Sequence, residues 1–123
     1  GDPPSELLEV YRMTWECNRA MAAVIKPGHM CSDIYAEYAR ITEKFGYPER
    51  LAGRVGHGLV NTGGLSVYPR NHTVLEPNMI ISVEPMFSTK YGLFDLEDQY
   101  VVTETGAECL HEPAPEQLPV VTA

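Results

Sequence analysis

Cationic side chains are scarce in this chain: nine Lys and Arg stand against seventeen Asp and Glu, giving a formal net charge of −8 over 123 residues. No nucleic-acid partner is expected, because binding phosphate backbones needs a basic face that releases counterions. The same deficit makes the chain a poor partner for anionic membranes. Long apolar runs are missing too, and no stretch approaches the roughly 20 residues a membrane span needs. The opening Gly1-Asp2-Pro3-Pro4-Ser5-Glu6 lacks the basic flank and apolar stretch of a signal peptide. Cysteine is sparse. Cys17, Cys31 and Cys109 are odd in number and form no Cys-x-x-Cys pattern, which fits free thiols in a reducing compartment better than a disulfide frame or zinc knuckle. A cytoplasmic location is the expectation. What remains, 44% apolar and 21% charged residues, is ordinary globular material sufficient for one domain or a piece of one.

Pro3-Pro4 followed by Ser5 and Glu6 marks a helix start. Leu7, Leu8, Tyr11, Trp15, Ala22 and Ile25 recur at helical spacing, as a core-facing stripe would, until Pro27-Gly28 stops the run. A second helix is expected to open at Ser32 or Asp33 and bury Ile34, Tyr35, Tyr38, Ile41 and Phe45. Gly46 is its expected C-terminal cap, with Pro48 just beyond. Gly53, Gly56, Gly58, Gly63 and Gly64 then crowd a loop-rich stretch, and β-branched segments follow at Val74–Leu75, Met79–Glu84 and Gln99–Thr103. The fold class is therefore α+β: a helical pair over 1–50, a Gly-rich segment with antiparallel strands over 51–110, and a tail over 111–123.

Two carboxylates carry the chemical interest. Glu84 ends the apolar strand Met79-Ile80-Ile81-Ser82-Val83-Glu84, with Ile80, Ser82 and Glu84 on one face and Met79, Ile81 and Val83 on the other. Glu97 follows in Leu93-Phe94-Asp95-Leu96-Glu97-Asp98, beyond the turn-like residues 88–92. A turn centred between Lys90 and Tyr91 makes residues whose numbers sum to 181 face each other, and Glu84 and Glu97 have that sum. Like charges directly opposite are destabilising, so a shared proton or a bound cation is required. The alternative is two solvated glutamates on an edge hairpin in another register. His57, in Gly56-His57-Gly58, adds an imidazole on a backbone free to approach closely. One imidazole with several carboxylates suits manganese, iron, cobalt or zinc.

These segments together resemble one family. Gly56-His57-Gly58, Leu75-Glu76-Pro77-Asn78-Met79, Glu84-Pro85, Glu97-Asp98 and Val102-Thr103-Glu104-Thr105-Gly106 look like the second half of the pita-bread metallohydrolase signature, found in Xaa-Pro peptidases, methionine aminopeptidases and creatinases. Ile25-Lys26-Pro27-Gly28 resembles the link between that family's central helices. The resemblance implies half of a pita-bread fold and two divalent metal ions held by two Asp, one His and two Glu. His57 and Glu84 would bind one ion and Glu97 would bridge both. His57 and Glu84 would be the catalytic residues, Glu84 also serving as general base toward the attacking water. The substrate implied is an Xaa-Pro peptide or a small amide.

The chain also departs from the pattern. Asp2, Asp33, Asp95 and Asp98 offer no match for the two Asp ligands, so the resemblance implies three ligands of five here and an N-terminal half as partner. Apolar surface left uncovered by that half is expected to produce a homo-oligomer. Leu59 to Pro69 lacks the His often found after Gly-His-Gly, and His72 reads as a surface loop residue instead. Asn78 replaces a Gly, which the fold should tolerate because Asn accepts a left-handed turn. Arg54 is open to two readings, a contact to a substrate carboxylate or a structural ion pair. His29 and His111 read as loop and exposed tail residues. Other functions on the same fold stay open: a lyase or amidohydrolase on a small metabolite, or a metal-free binding module.

Overall fold

The computed structural model of the protein describes residues 3–47, 54–59 and 65–118. Pro48, Gly53, Gly63 and Gly64 lie outside the described residues, as does Asp2. Helix α1 spans Ser5–Ala23 and α2 spans Cys31–Lys44. Six strands follow: β1 Gly56–Leu59, β2 Ile80–Val83, β3 Met86–Thr89, β4 Gly92–Asp95, β5 Asp98–Val102 and β6 Ala107–Cys109. Strands β1-β2-β5-β6 form an antiparallel sheet in that order, and β3-β4 form a separate hairpin. The expected α+β order is present.

The helices begin and end where local chemistry directs. Pro4 stands at the N-cap of α1, and its carbonyl accepts from the amides of Leu7 and Leu8. Before α2, the Asp33 side chain accepts the Met30 amide at 2.7 Å, so the helix opens slightly earlier than Ser32. Gly46 sits at φ 68° past the end of α2 and donates its amide to Glu43, as a left-handed cap should. Asn78 takes φ 73°, the left-handed turn expected to be tolerable for Asn at this position.

One core cluster lies between the helices and the sheet, built from Met13, Cys17, Met21, Ile34, Tyr38, Ile81, Val83, Phe87, Tyr100 and Val102 among others. The α2 residues expected inside are inside, except that Phe45 is only partly buried. For α1 the expected stripe needs correction. Leu8 is 45% exposed, and the face turned inward carries Tyr11, Met13, Thr14, Cys17, Asn18 and Met21. Two apolar stripes compete on this helix. The inner one wins although it contains two polar residues, because both are satisfied: Thr14 donates to the Val10 carbonyl at 2.7 Å and Asn18 to the Leu96 carbonyl at 3.1 Å. Trp15 is half-buried rather than core, and its indole N–H reaches the Ala114 carbonyl at 3.2 Å. That bond, with Tyr11 hydroxyl to Pro115 carbonyl at 2.6 Å and Arg12 to Glu116 at 2.7 Å, straps the tail across α1.

Two strand assignments also change. Val74–Leu75 is not a strand: Val74 makes a single bridge to Met30. Gly56-His57-Gly58, expected in a loop, is strand β1, because β2 offers it a complete partner from Gly56↔Val83 to Leu59↔Ile80. Gly56 is required there. A β-carbon on it would collide with the Ser82 carbonyl oxygen and come within 2.9 Å of Val67 Cγ2. Gly56→Ala should therefore destabilise the chain by about 1–3 kcal/mol, the usual range for forced overpacking. A shift of the urea midpoint to lower concentration checks it, and an unchanged midpoint would mean β1 is free to move away from β2.

Candidate metal centre

The site is assembled around a break in the sheet. β2 sends Ile81 and Val83 into the core and leaves Ser82 on the opposite face, the face that Glu84 continues. Glu84 is fixed by its amide, which donates to the Val55 carbonyl at 2.7 Å. Pro85 comes next and has no N–H, so the β2 ladder ends there. Pairing resumes in β3-β4 with the same register: Ser82↔Gln99 and Phe87↔Phe94 both join residues whose numbers sum to 181. Glu84 and Glu97 fall in the gap between the two ladders at equivalent positions. The hairpin is centred between Lys90 and Tyr91, in the register considered from the sequence rather than the alternative one.

His57 enters from the other neighbour of β2. It pairs with Ser82 in the β1–β2 register, and a further bridge joins it to Ser66. Its Nε2 lies 3.3 Å from Glu97 Oε2 and 3.8 Å from Glu84 Oε2. Ligand atoms of His57, Glu84 and Glu97 all lie within 4.8 Å of one another. The other ring nitrogen, Nδ1, is 3.2 Å from the Gly58 carbonyl. In the tautomer that donates Nδ1–H to that carbonyl, Nε2 turns a lone pair toward two carboxylates. That arrangement needs a cation between them; without one, Nε2 must carry the proton instead.

The carboxyls answer their crowding in opposite ways. Burial, then the hydrogen bond with Glu97 and the nearby charge of Asp95, pushes Glu84 up to about 8. The Ser82 hydroxyl, donating to Glu97 Oε2 at 2.7 Å, and the bond from Glu84 hold Glu97 below the usual carboxylate range. Glu84 thus keeps a proton and Glu97 keeps the charge. Asp95 is also raised, chiefly by burial, and shares a hydrogen bond with Glu84. Neither Ser82 nor Asp95 is singled out by the sequence motifs. Their signal was the two-residue period, which places Ser82 beside Glu84 and Asp95 beside Glu97 on one face of each strand.

The remaining candidates lie apart or are already engaged. Arg54 precedes β1, is exposed, and makes no ion pair among the described residues, so the structural pairing considered for it is not found there. His72 is an exposed loop residue and His29 a loop residue whose ring meets the Val24 carbonyl at 2.8 Å. Asp98, Cys109 and His111 form a second group with ligand atoms close together. Its members are already engaged: Asp98 accepts from Arg19 at 3.2 Å and from the Ala114 amide at 3.4 Å, while His111 Nε2 accepts the Gln99 amide at 3.1 Å. His111 is exposed as expected, but it is also a fastening point for the tail.

Residues 1–104 match the sequence profile of metallopeptidase family M24. An uncharacterized peptidase of Bacillus subtilis, YqhT, is 32% identical over 119 residues, covering 92% of this chain and 33% of the relative. The probable dipeptidase PepE of Mycobacterium bovis is 32% identical over 124 residues, covering 91% of this chain and 32% of its own length. Among solved structures, the Xaa-Pro dipeptidase of Bacillus anthracis superposes with a TM-score of 0.86 at 29% identity, over 98% of this chain and 35% of that one. The chain thus spans about a third of the curated relatives it matches, and its helices and antiparallel strands are a portion of the pita-bread fold. With that match across most of its length, the chain belongs to metallopeptidase family M24.

Proposed function

We propose that this chain contributes the His57, Glu84 and Glu97 ligands of a dinuclear metal centre that hydrolyses an Xaa-Pro peptide or a small amide. The convergence of one imidazole and two carboxylates within 4.8 Å carries this reading. The donor set fits a divalent ion of the manganese, iron, cobalt or zinc type, since it combines a nitrogen ligand with hard oxygens. His57 Nε2 and Glu84 would hold one ion, with Glu97 shared between two. The residues are read as the C-terminal half of the catalytic domain, and two Asp from an N-terminal half would complete the set. When bound, the ions supply Lewis acidity that makes water a usable nucleophile near neutral pH and polarises the scissile carbonyl.

The chain's own groups then divide the work. Glu84, placed beside the bound ions, would accept a proton from the attacking water and pass it to the leaving amine. Glu97 stays ionised through Ser82 and anchors the cation side of the site. His57 is kept in line by β1, whose ladder to β2 fixes its distance from both carboxylates. Arg54, exposed just before β1, is the candidate for contact with a substrate carboxylate, the structural ion pair remaining the other reading.

Two measurements test this. In calorimetric manganese titrations the 123-residue chain should bind weakly, and His57→Ala or Glu97→Gln should remove the binding. Supplying the N-terminal half should tighten it and bring hydrolysis of an Xaa-Pro dipeptide above background. Tight binding of two equivalents by this chain alone, with turnover, would defeat the proposed division of ligands.

Metal-free stability should also depend on pH in a stated direction. Unfolded, Glu84 releases its proton near 4.5; folded, it holds the proton to about 8. Between those values the folded state binds more protons, so stability falls as pH rises. Asp95, also raised, adds the same sign, while Glu97, lowered, opposes it only at the bottom of the range, where the unfolded chain still protonates it. The urea midpoint should drop between about pH 5 and about pH 8, less so in Glu84→Gln, and manganese should restore it at the upper end. A midpoint that rises over this range would contradict the assigned protonation of Glu84.

A further inference from the structure

Glu97 sits where the sheet gives it least support. β4 ends at Asp95 and β5 begins at Asp98, so Leu96 and Glu97 form an unpaired link between two separate ladders. Leu96 donates its amide to the Pro85 carbonyl at 3.4 Å, a long bond for this role. The side-chain hydroxyl of Ser82 fixes one carboxylate oxygen, but a hydroxyl bond does not fix the main chain from which that carboxylate hangs.

Helix α1 supplies what is missing. Asn18 is fully buried, and its Nδ2 donates to the Leu96 carbonyl at 3.1 Å, the peptide that leads directly into Glu97. Its Oδ1 accepts from Arg19 Nη2 at 2.7 Å, which settles which way round the amide lies. Arg19 Nη2 also reaches Asp98 Oδ2 at 3.2 Å and the Tyr100 hydroxyl. Asp98 is itself 3% exposed. Two consecutive helix residues therefore hold the residue before Glu97 and the residue after it, through one connected network. A buried carboxamide is costly unless both its ends are used, and here both are.

We propose that Asn18 is a positioning residue for Glu97: it sets the height of the Leu96–Glu97 link over the site and thereby the place from which Glu97 reaches a metal ion. The inference rests on Glu97 being a ligand. Asn18 touches neither metal nor substrate. Its effect passes through the Leu96 peptide, in the way that partners behind metal ligands commonly control affinity.

The test uses the 123-residue chain with manganese as the probe. Asn18→Asp keeps the size of the side chain and can still accept from Arg19, but cannot donate to Leu96. Asn18→Leu removes both bonds. Thr14→Ala, one turn earlier on the same buried face, is the control for general weakening of α1. Expected is a loss of about tenfold or more in manganese affinity for both Asn18 variants, the lower end of the usual effect of a partner behind a ligand. Metal-free hydrogen exchange at the Leu96 amide should also quicken, with the β1–β2 amides unchanged. Thr14→Ala should lower the urea midpoint and leave manganese affinity and Leu96 exchange alone. Should Asn18→Leu fail to fold, Asn18→Asp decides, since Arg19 offsets its charge. Parent-like affinity in Asn18→Asp, or an equal loss in Thr14→Ala, overturns the positioning role while leaving Glu97 a ligand. Parent-like affinity in Glu97→Gln overturns the ligand reading and the positioning role with it.

Discussion

Two glutamates meet across a gap in an antiparallel sheet, and most of the surrounding structure can be understood as a response to their repulsion. One register runs through β2–β5 and again through β3–β4, so Glu84 and Glu97 face each other whatever their charge. The chain cannot relieve the conflict by sliding one strand, because a one-residue slip would turn Ile81 and Val83 out of the core. Relief has to be chemical. Without a cation the pair shares one proton, held on Glu84, while Ser82 stabilises the charge on Glu97. In the proposed reading a divalent ion would take the place of that proton, with His57 Nε2 3.3 Å and 3.8 Å from the two carboxylates to share in holding it.

The hydrophobic scaffold lies behind this site and positions it, the carbonyl of Val55 in the core accepting the Glu84 amide. Tyr38 stacks on Phe87 with ring centroids 5.5 Å apart, and Tyr47 meets Phe87 edge-on at 5.4 Å. These rings seat the β3–β4 hairpin against α2, although the hairpin has no ladder to the main sheet. The stretch between hairpin and sheet is thus tied at both ends, by aromatic packing on one side and the four-stranded sheet on the other. At its middle, α1 reaches in through Asn18 and Arg19. The main chain that carries Glu97 is thus fixed by helix, hairpin and sheet together.

Much of this was legible in the sequence, for identifiable reasons. The turn-like residues 88–92 suggest a hairpin, and once its centre lies between Lys90 and Tyr91 strand periodicity places Glu84 opposite Glu97. The sequence left another register open, which the β3–β4 pairing excludes. Asn78 and Gly46 were readable because a left-handed backbone admits few residues. The failures were of another kind. Strand β1 is invisible locally: Gly-His-Gly has little strand propensity, and it becomes extended because β2 and the Ser66 bridge pair it from both sides. The buried face of α1 was misread because Thr14 and Asn18 look like surface residues until their partners are known. Trp15 looked like core because the tail that covers it contributes only backbone carbonyls, which leave no hydrophobic pattern.

Pro85 interrupts the ladder at the one place where continuous pairing would join β2 to β3, so the hairpin stays distinct from the sheet that carries His57. This separates the positions at which the chain length can drift over evolutionary time. Residues added at Lys90–Tyr91 lengthen the hairpin tip and leave every pair from Ile80↔Val101 to Met86↔Asp95 intact. A single residue inserted between Ile80 and Glu84, or between Glu97 and Val101, would invert one face of its strand and carry the carboxylate away from its partner. Added residues are thus accommodated at the tip and disruptive beside the gap, so this segment can lengthen only where the two glutamates stay aligned.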